Sequence, residues 1–259
     1  MRDLYAFLDE LRVWSAANDG GGTVHAYGSD PAQHAVLRLP GGPGPHPGVI
    51  VIHGGFWRAA FTKENTTAVA IALTRGGFAT WNVEYRRVGA GGGYPETLDD
   101  VRAACIAATA REGEIDARRT IVVGHSAGGH LALWALAEGL ARAAVSLAGI
   151  GDLGAAEREG LGGGAVAEFL GAAGRSRLER YRDANPIARL PFGRPTLHVH
   201  GTLDDRVPLE QAQSFVRVAA AAGDEVRLLE LRGADHLDVI DPRSEHWDPI
   251  EEGVGVLAS

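Results

Sequence analysis

The stretch Ile121-Val122-Val123-Gly124-His125-Ser126-Ala127-Gly128-Gly129-His130 decides the fold. A β-branched apolar run enters Gly-x-Ser-x-Gly, and a segment of helical period, about 127–139, leaves it. A strand that turns straight into a helix has no room for side chains beside the turn, so Gly124 and Gly128 are required there. The same turn lifts the Ser126 hydroxyl to a helix N-terminus, where free amides face developing negative charge. It reads as a nucleophile elbow, with Ala127 supplying one amide to an oxyanion.

Working outward, Val49–Ile52, Ala79–Val83, Ala144–Leu147, Thr196–Val199 and Val226–Leu231 are further short apolar runs, most of them separated by helical stretches at about 64–75, 96–111 and 208–222. Pro95 and Pro208 stand where a first helical turn tolerates proline. Strands alternating with helices predict an α/β fold, a mostly parallel sheet with helices on both faces. Upstream, Leu4, Phe7, Leu8, Leu11 and Trp14 mark an amphipathic helix expected on the outside of the domain, followed by short strands at 23–27 and 35–39. The glycine- and proline-rich segment 41–48 predicts a loop, unable to hold a helix or a ladder strand. Residues 150–193, with Gly160, Gly162, Gly163 and Gly164, predict a cap or lid inserted over the sheet edge of a single domain spanning 1–259.

The 259 residues are 45% hydrophobic and 22% charged, which suits a folded globular chain. Lys and Arg (25) against Asp and Glu (33) give −8, with no basic run to neutralise phosphates, which argues against nucleic acid as a partner. Cys105 is the sole cysteine and cannot form an internal disulfide. The opening Met1-Arg2-Asp3-Leu4 begins no signal-peptide-like apolar stretch, and no run approaches a membrane span, so a cytoplasmic location without a membrane partner is expected. The oligomeric state stays open, a homodimer included.

A second motif, Val51-Ile52-His53-Gly54-Gly55-Phe56-Trp57, follows an earlier strand. Its glycines let the backbone approach a bound carbonyl, so the amides of Gly55 and Phe56 are expected to complete an oxyanion hole with that of Ala127. His53 is expected to brace the loop. A serine needs a base and an acid to orient that base. His200-Gly201-Thr202-Leu203-Asp204-Asp205 follows one strand, and Gly233-Ala234-Asp235-His236 follows the next. The order Ser126, Asp204, His236 is that of a strand-loop triad, with Asp205 as the alternative acid, more readily pairing with Arg206 or capping the helix near Pro208. His125 and His130 read as packing residues beside the nucleophile. His198 and His200 share a strand face but no third ligand accompanies them, so no metal is expected.

These residues resemble the α/β-hydrolase superfamily, in particular the His-Gly-Gly-x-Trp branch of hormone-sensitive-lipase-like esterases and kynurenine formamidase-like enzymes. Besides the two motifs above, Glu84-Tyr85-Arg86-Arg87, Tyr94-Pro95-Glu96 and His200-Gly201-Thr202-Leu203-Asp204 with Val207-Pro208 fit that branch in order. The resemblance implies a twisted sheet of about eight strands whose first two are antiparallel. It also implies Ser126 as nucleophile, Asp204 as acid and His236 as base. Phe56 replaces the third loop glycine of the lipase-like enzymes, as in the formamidase-like group.

The resulting expectation is a serine hydrolase that cleaves small carboxylic esters through an acyl-enzyme, without metal or organic cofactor. An aryl formamidase is the first alternative, with Phe56 and Trp57 beside an aromatic leaving group. A prolyl-peptidase-like hydrolase and a non-catalytic ligand-binding fold are the others. Trp57, His125 and Phe169 are expected to line the substrate pocket, with Leu170 and Leu178 as further apolar candidates from the insertion.

Overall fold

The computed structural model describes residues 2–171 and 176–259. Its centre is an eight-stranded sheet built from β1 (Thr23–Ala26), β2 (His34–Arg38), β3 (His46–Ile52), β4 (Ala79–Val83), β5 (Ile115–His125), β6 (Ala144–Leu147), β7 (Thr196–Gly201) and β8 (Val226–Leu231). The order across the sheet is β1-β2-β4-β3-β5-β6-β7-β8. β1 with β2, and β2 with β4, run antiparallel, and the remaining pairs are parallel.

Successive side chains of a strand point to opposite faces, so the central apolar runs feed two cores at once. Ile50, Ile52, Val122 and Ala144 face one core, completed by α3 (Glu96–Thr109), α4 (Ala127–Ala137) and α8 (Leu209–Ala221) through Leu98, Leu131 and Phe215. Val49, Val51, Ile121, Val123 and Val145 face the other. That side is covered by α1 (Leu4–Asn18), α2 (Thr67–Arg75) and α9 (Trp247–Leu257), through Phe7, Leu8, Leu11, Val69, Ile250 and Val254. Pro95 and Pro208 occupy the cap positions of α3 and α8.

One expectation is corrected. The segment 41–48 is not all loop, because β3 begins at His46 and Pro47 pairs with Asp116. The register shifts between Pro47 and Val49, and a proline without an N–H is tolerated at such an irregular strand end. A Cβ on Gly48 would stand 2.5 Å from the Thr120 hydroxyl, so the close approach of β5 requires glycine there.

The 150–193 excursion, of which 172–175 lie outside the described residues, packs against α4 and also reaches the loop after β3, where Arg58 pairs with Glu168. Its helices are α5 (Leu153–Arg158), α6 (Ala165–Leu170) and α7 (Arg177–Ala184). Leu153, Ala156, Val166, Phe169 and Ala184 are buried in the same core as α4. Polar ties reinforce this docking: Trp134 Nε1 donates to the Asp183 carbonyl at 3.1 Å, and His130 Nε2 lies 2.7 Å from the Ala184 carbonyl. Among the described residues no helix is long and apolar enough to cross a membrane.

Candidate active site

Ser126 joins β5 to α4 with φ 55° and ψ −119°, a left-handed backbone that a non-glycine residue holds only when its surroundings dictate it. Those surroundings are crowded. A Cβ on Gly124 would stand 2.0 Å from the Gly128 carbonyl oxygen, and one on Gly128 would stand 2.1 Å from that of Ile52. The Ser126 amide donates to the Leu147 carbonyl at 2.9 Å, which ties the elbow to β6.

The loop after β3 lies against this turn. A Cβ on Gly54 would stand 2.6 Å from the His125 carbonyl oxygen and 2.9 Å from Ser126 Cβ. Gly55, Phe56 and Trp57 all have positive φ (107°, 53° and 57°). His53, fully buried, braces the loop from below: Nδ1 lies 2.7 Å from the Gly54 carbonyl, Nε2 lies 3.1 Å from Glu84 Oε1, and the ring stacks on Tyr85. Burial pushes the Glu84 carboxyl up, but the hydrogen bond and charge of His53, with Arg87, outweigh it and hold Glu84 at about 2. The Glu84-Tyr85 segment thus supports the glycine loop from the neighbouring strand.

Asp204 follows β7 and His236 follows β8. His236 Nδ1 lies 2.8 Å from Asp204 Oδ2, while Asp204 Oδ1 accepts the amides of Arg206 and Val207 at 2.9 Å each. Burial raises the Asp204 carboxyl, but hydrogen bonds from His200 and His236 overcome that and hold it well below the usual carboxylate range. Asp205 is turned away and forms a loose 3.8 Å pair with Arg206. It does not cap α8, whose start has no side-chain cap.

Ser126 and His236 line one cavity of about 40 Å³, together with Gly54, Gly55, Phe56, Phe61, Asn65, His125, Arg206, Leu237, Ile240 and, from α1, Leu4 and Leu8. His125 Nε2 lies 3.0 Å from the His236 carbonyl, so His125 both lines the cavity and fixes the backbone of the histidine loop. Burial, then the neighbouring His236, pull His125 down to about 3.

Trp57 and Phe169 are not part of the cavity lining. They stack on each other at 4.8 Å, fully buried, with His130 edge-on to both. Leu170 is likewise core, and Leu178 is exposed. An aromatic next to a motif and one in an insertion carry the same pattern whether they face substrate or core. Sequence reasoning missed several walls, among them Phe61, Leu237, Ile240, Leu4 and Leu8; the last two lie more than a hundred residues before Ser126, with the helical period of α1 as their signal.

Among the described residues no three His, Cys, Asp or Glu side chains are grouped to hold a metal ion. His198 instead packs on the Phe215 ring at 4.7 Å.

Sheet order, elbow, glycine loop and the placement of Asp204 and His236 after β7 and β8 define an α/β-hydrolase fold. The chain belongs to the BD-FAE family of α/β-hydrolase-type esterases, whose model matches residues 38–218. It is 32% identical over 242 residues to Esterase LipC of Mycobacterium tuberculosis, an alignment covering 83% of this chain and 59% of that protein. The chain therefore spans about three fifths of the length of this relative.

Among solved structures it is similar to a truncated carbohydrate esterase from gut microbiota. The TM-score is 0.77 at 20% identity, covering 93% of this chain and 97% of the other. It is also similar to a butyrate-bound thermophilic esterase, Est2 of Thermogutta terrifontis. Here the TM-score is 0.73 at 20% identity, covering 92% of each chain.

Proposed function

We propose that this protein is a serine esterase acting on small carboxylic esters. His236, oriented by Asp204, takes the Ser126 proton as the hydroxyl oxygen attacks the ester carbonyl, and the amides of Gly55, Phe56 and Ala127 receive the oxyanion. The tetrahedral centre collapses to an acyl-enzyme as the alcohol leaves with the proton from His236. Water, deprotonated by the same imidazole, then releases the acid and regenerates Ser126.

The observation that carries this reading is the 2.8 Å contact of His236 Nδ1 with Asp204 Oδ2, which leaves Nε2 of a cavity-lining histidine free to serve a cavity-lining serine. The family and the relatives named above support ester substrates. The small cavity, walled by Leu4, Leu8, Phe61, Leu237 and Ile240, favours short acyl groups over long chains. The aryl-formamide alternative loses one of the two rings it relied on, since Trp57 is buried against Phe169. A non-catalytic binder has no evident use for a strained serine beside an oriented histidine.

The test is kcat/KM for 4-nitrophenyl acetate against N-formylkynurenine, with Ser126→Ala as blank. Acetate is expected to win by about a hundredfold or more, and Ser126→Ala to lower kcat by about 10⁴-fold. Activity within tenfold of wild type in that variant removes Ser126 from the mechanism. A formamide preference instead replaces the ester assignment.

A further inference from the structure

We infer that His200 is a positioning residue for the acid–base pair, its Nε2–H holding the Asp204 carboxylate in place for His236. The inference rests on the roles of Ser126, Asp204 and His236 proposed above. His200 is the penultimate residue of β7 and is fully buried. Its Nε2 lies 2.8 Å from the Val207 carbonyl oxygen and 3.2 Å from Asp204 Oδ2. Both neighbours are acceptors, so this nitrogen carries the hydrogen, which donates to the Val207 carbonyl with Asp204 Oδ2 close beside it. Nδ1 is buried without a hydrogen-bond partner. If strand-end packing were the only role, an apolar side chain would fill the space without an idle buried nitrogen.

A carboxylate offers about four acceptor sites. Oδ1 of Asp204 takes two backbone amides, and Oδ2 bonds His236 at 2.8 Å with His200 Nε2 3.2 Å away. His200 places a second ring nitrogen beside Oδ2, the oxygen that faces His236. Without it, Oδ2 keeps a single donor, and more of the negative charge falls on His236, which then retains a proton to higher pH. The other charged or titratable groups facing this carboxylate are Arg206, on the same loop, and His125, at the end of β5. Neither replaces the missing donor on Oδ2.

The experiment compares His200→Leu, His200→Gln and wild type on 4-nitrophenyl acetate from pH 5 to 8, with active sites counted by fluorophosphonate labelling. His200→Leu is expected to lower kcat roughly 10- to 100-fold, the loss of a hydrogen bond to a charged group. It should also move the acidic limb of kcat/KM up by about half a pH unit or more. His200→Gln, whose amide N–H reaches the position of Nε2, should return the limb to its wild-type position and recover most of kcat. An unmoved limb in His200→Leu overturns the inference whatever happens to kcat, since packing alone does not shift a titration. A limb equally displaced in His200→Gln overturns it too. If His200→Leu yields no labelled sites, His200→Asn, with an amide too short to reach Asp204, takes its place under the same criteria. Ser126→Ala separates the two levels: residual activity there indicts the proposed function, whereas an inactive Ser126→Ala with an unmoved limb indicts His200 alone.

Discussion

Gly54→Ala places one methyl group where the glycine loop meets the elbow. The new Cβ would stand 2.6 Å from the His125 carbonyl oxygen and 2.9 Å from Ser126 Cβ. Neither neighbour can yield, because His125 ends a central strand and Ser126 is fixed by the Gly124–Gly128 crossing. The loop must therefore retreat, and restoring the 3.4 Å of ordinary contact from 2.6 Å requires about 0.8 Å. Such a shift stretches an oxyanion hydrogen bond from about 2.9 Å to about 3.7 Å, past any useful strength. Loss of one such donor costs about 10²- to 10³-fold in kcat, with KM little changed because the interaction is made in the transition state. Overpacking should also cost about 1–3 kcal/mol of stability. The assay is kcat on 4-nitrophenyl acetate per fluorophosphonate-labelled site, beside a urea melt. A variant with kcat within threefold of wild type would refute the reasoning, since the glycine would then not be holding the donors against the serine.

Asp204→Asn should lower kcat by about 10⁴-fold, as expected when the orienting acid of a triad is lost, while Asp205→Asn should stay within about threefold. The same esterase assay decides, and the reverse ranking would exchange the two carboxylates. Leu8→Ala opens the cavity wall contributed by α1 and should raise the butyrate-to-acetate ratio of kcat/KM by about tenfold or more, since each methylene housed in a pocket is worth roughly tenfold at least. An unchanged ratio would take α1 out of substrate selection.

Three buried histidines make stability fall in mild acid. Burial pulls His130 down to about 4 and, with a nearby histidine in each case, His125 and His198 down to about 3. The unfolded chain takes up protons at these positions below about 6.5 and the folded chain does not. The contribution is therefore complete above that pH and is lost as pH falls toward the folded values. Each histidine should remove about 2 kcal/mol between pH 7 and pH 5. Urea melts across that range should show the drop, and His198→Leu should shrink it by roughly a third. Equal drops in both proteins would mean that His198 is charged in the fold.

The sheet was readable because strands buried on both faces are nearly continuous β-branched runs, as in Val49–Ile52 and Ile121–Val123. The elbow was readable because its requirement is local: two glycines and a serine within five residues. His46–Gly48 escaped because its strand character comes from pairing with Ile115 and Asp116, about seventy residues away. Between Asp204 and Asp205 the deciding fact is the backbone direction of the turn, which sends one carboxylate to His236 and the other to solvent. Trp57, beside the glycine loop, and Phe169, in the insertion, read as pocket residues from residue type and position in the chain. Their mutual stacking is a tertiary fact that no local pattern encodes. The link between His200 and Asp204 had a weak signal in their spacing of four across a turn, where helical rules do not apply.

The cavity draws on two separate parts of the chain. Ser126 and the glycine loop come from the ends of central strands, pinned by contacts that admit no added atom, and His236 follows the edge strand β8. Leu4 and Leu8 come from α1, an amphipathic helix laid on the outer core, which also leaves Tyr5 and Val13 exposed. Substitutions along this helix can reshape the entrance without disturbing the reacting groups. On the proposed esterase reading, chemistry and substrate choice can thus change independently, the first kept constant by crowding and the second left open to variation at the surface.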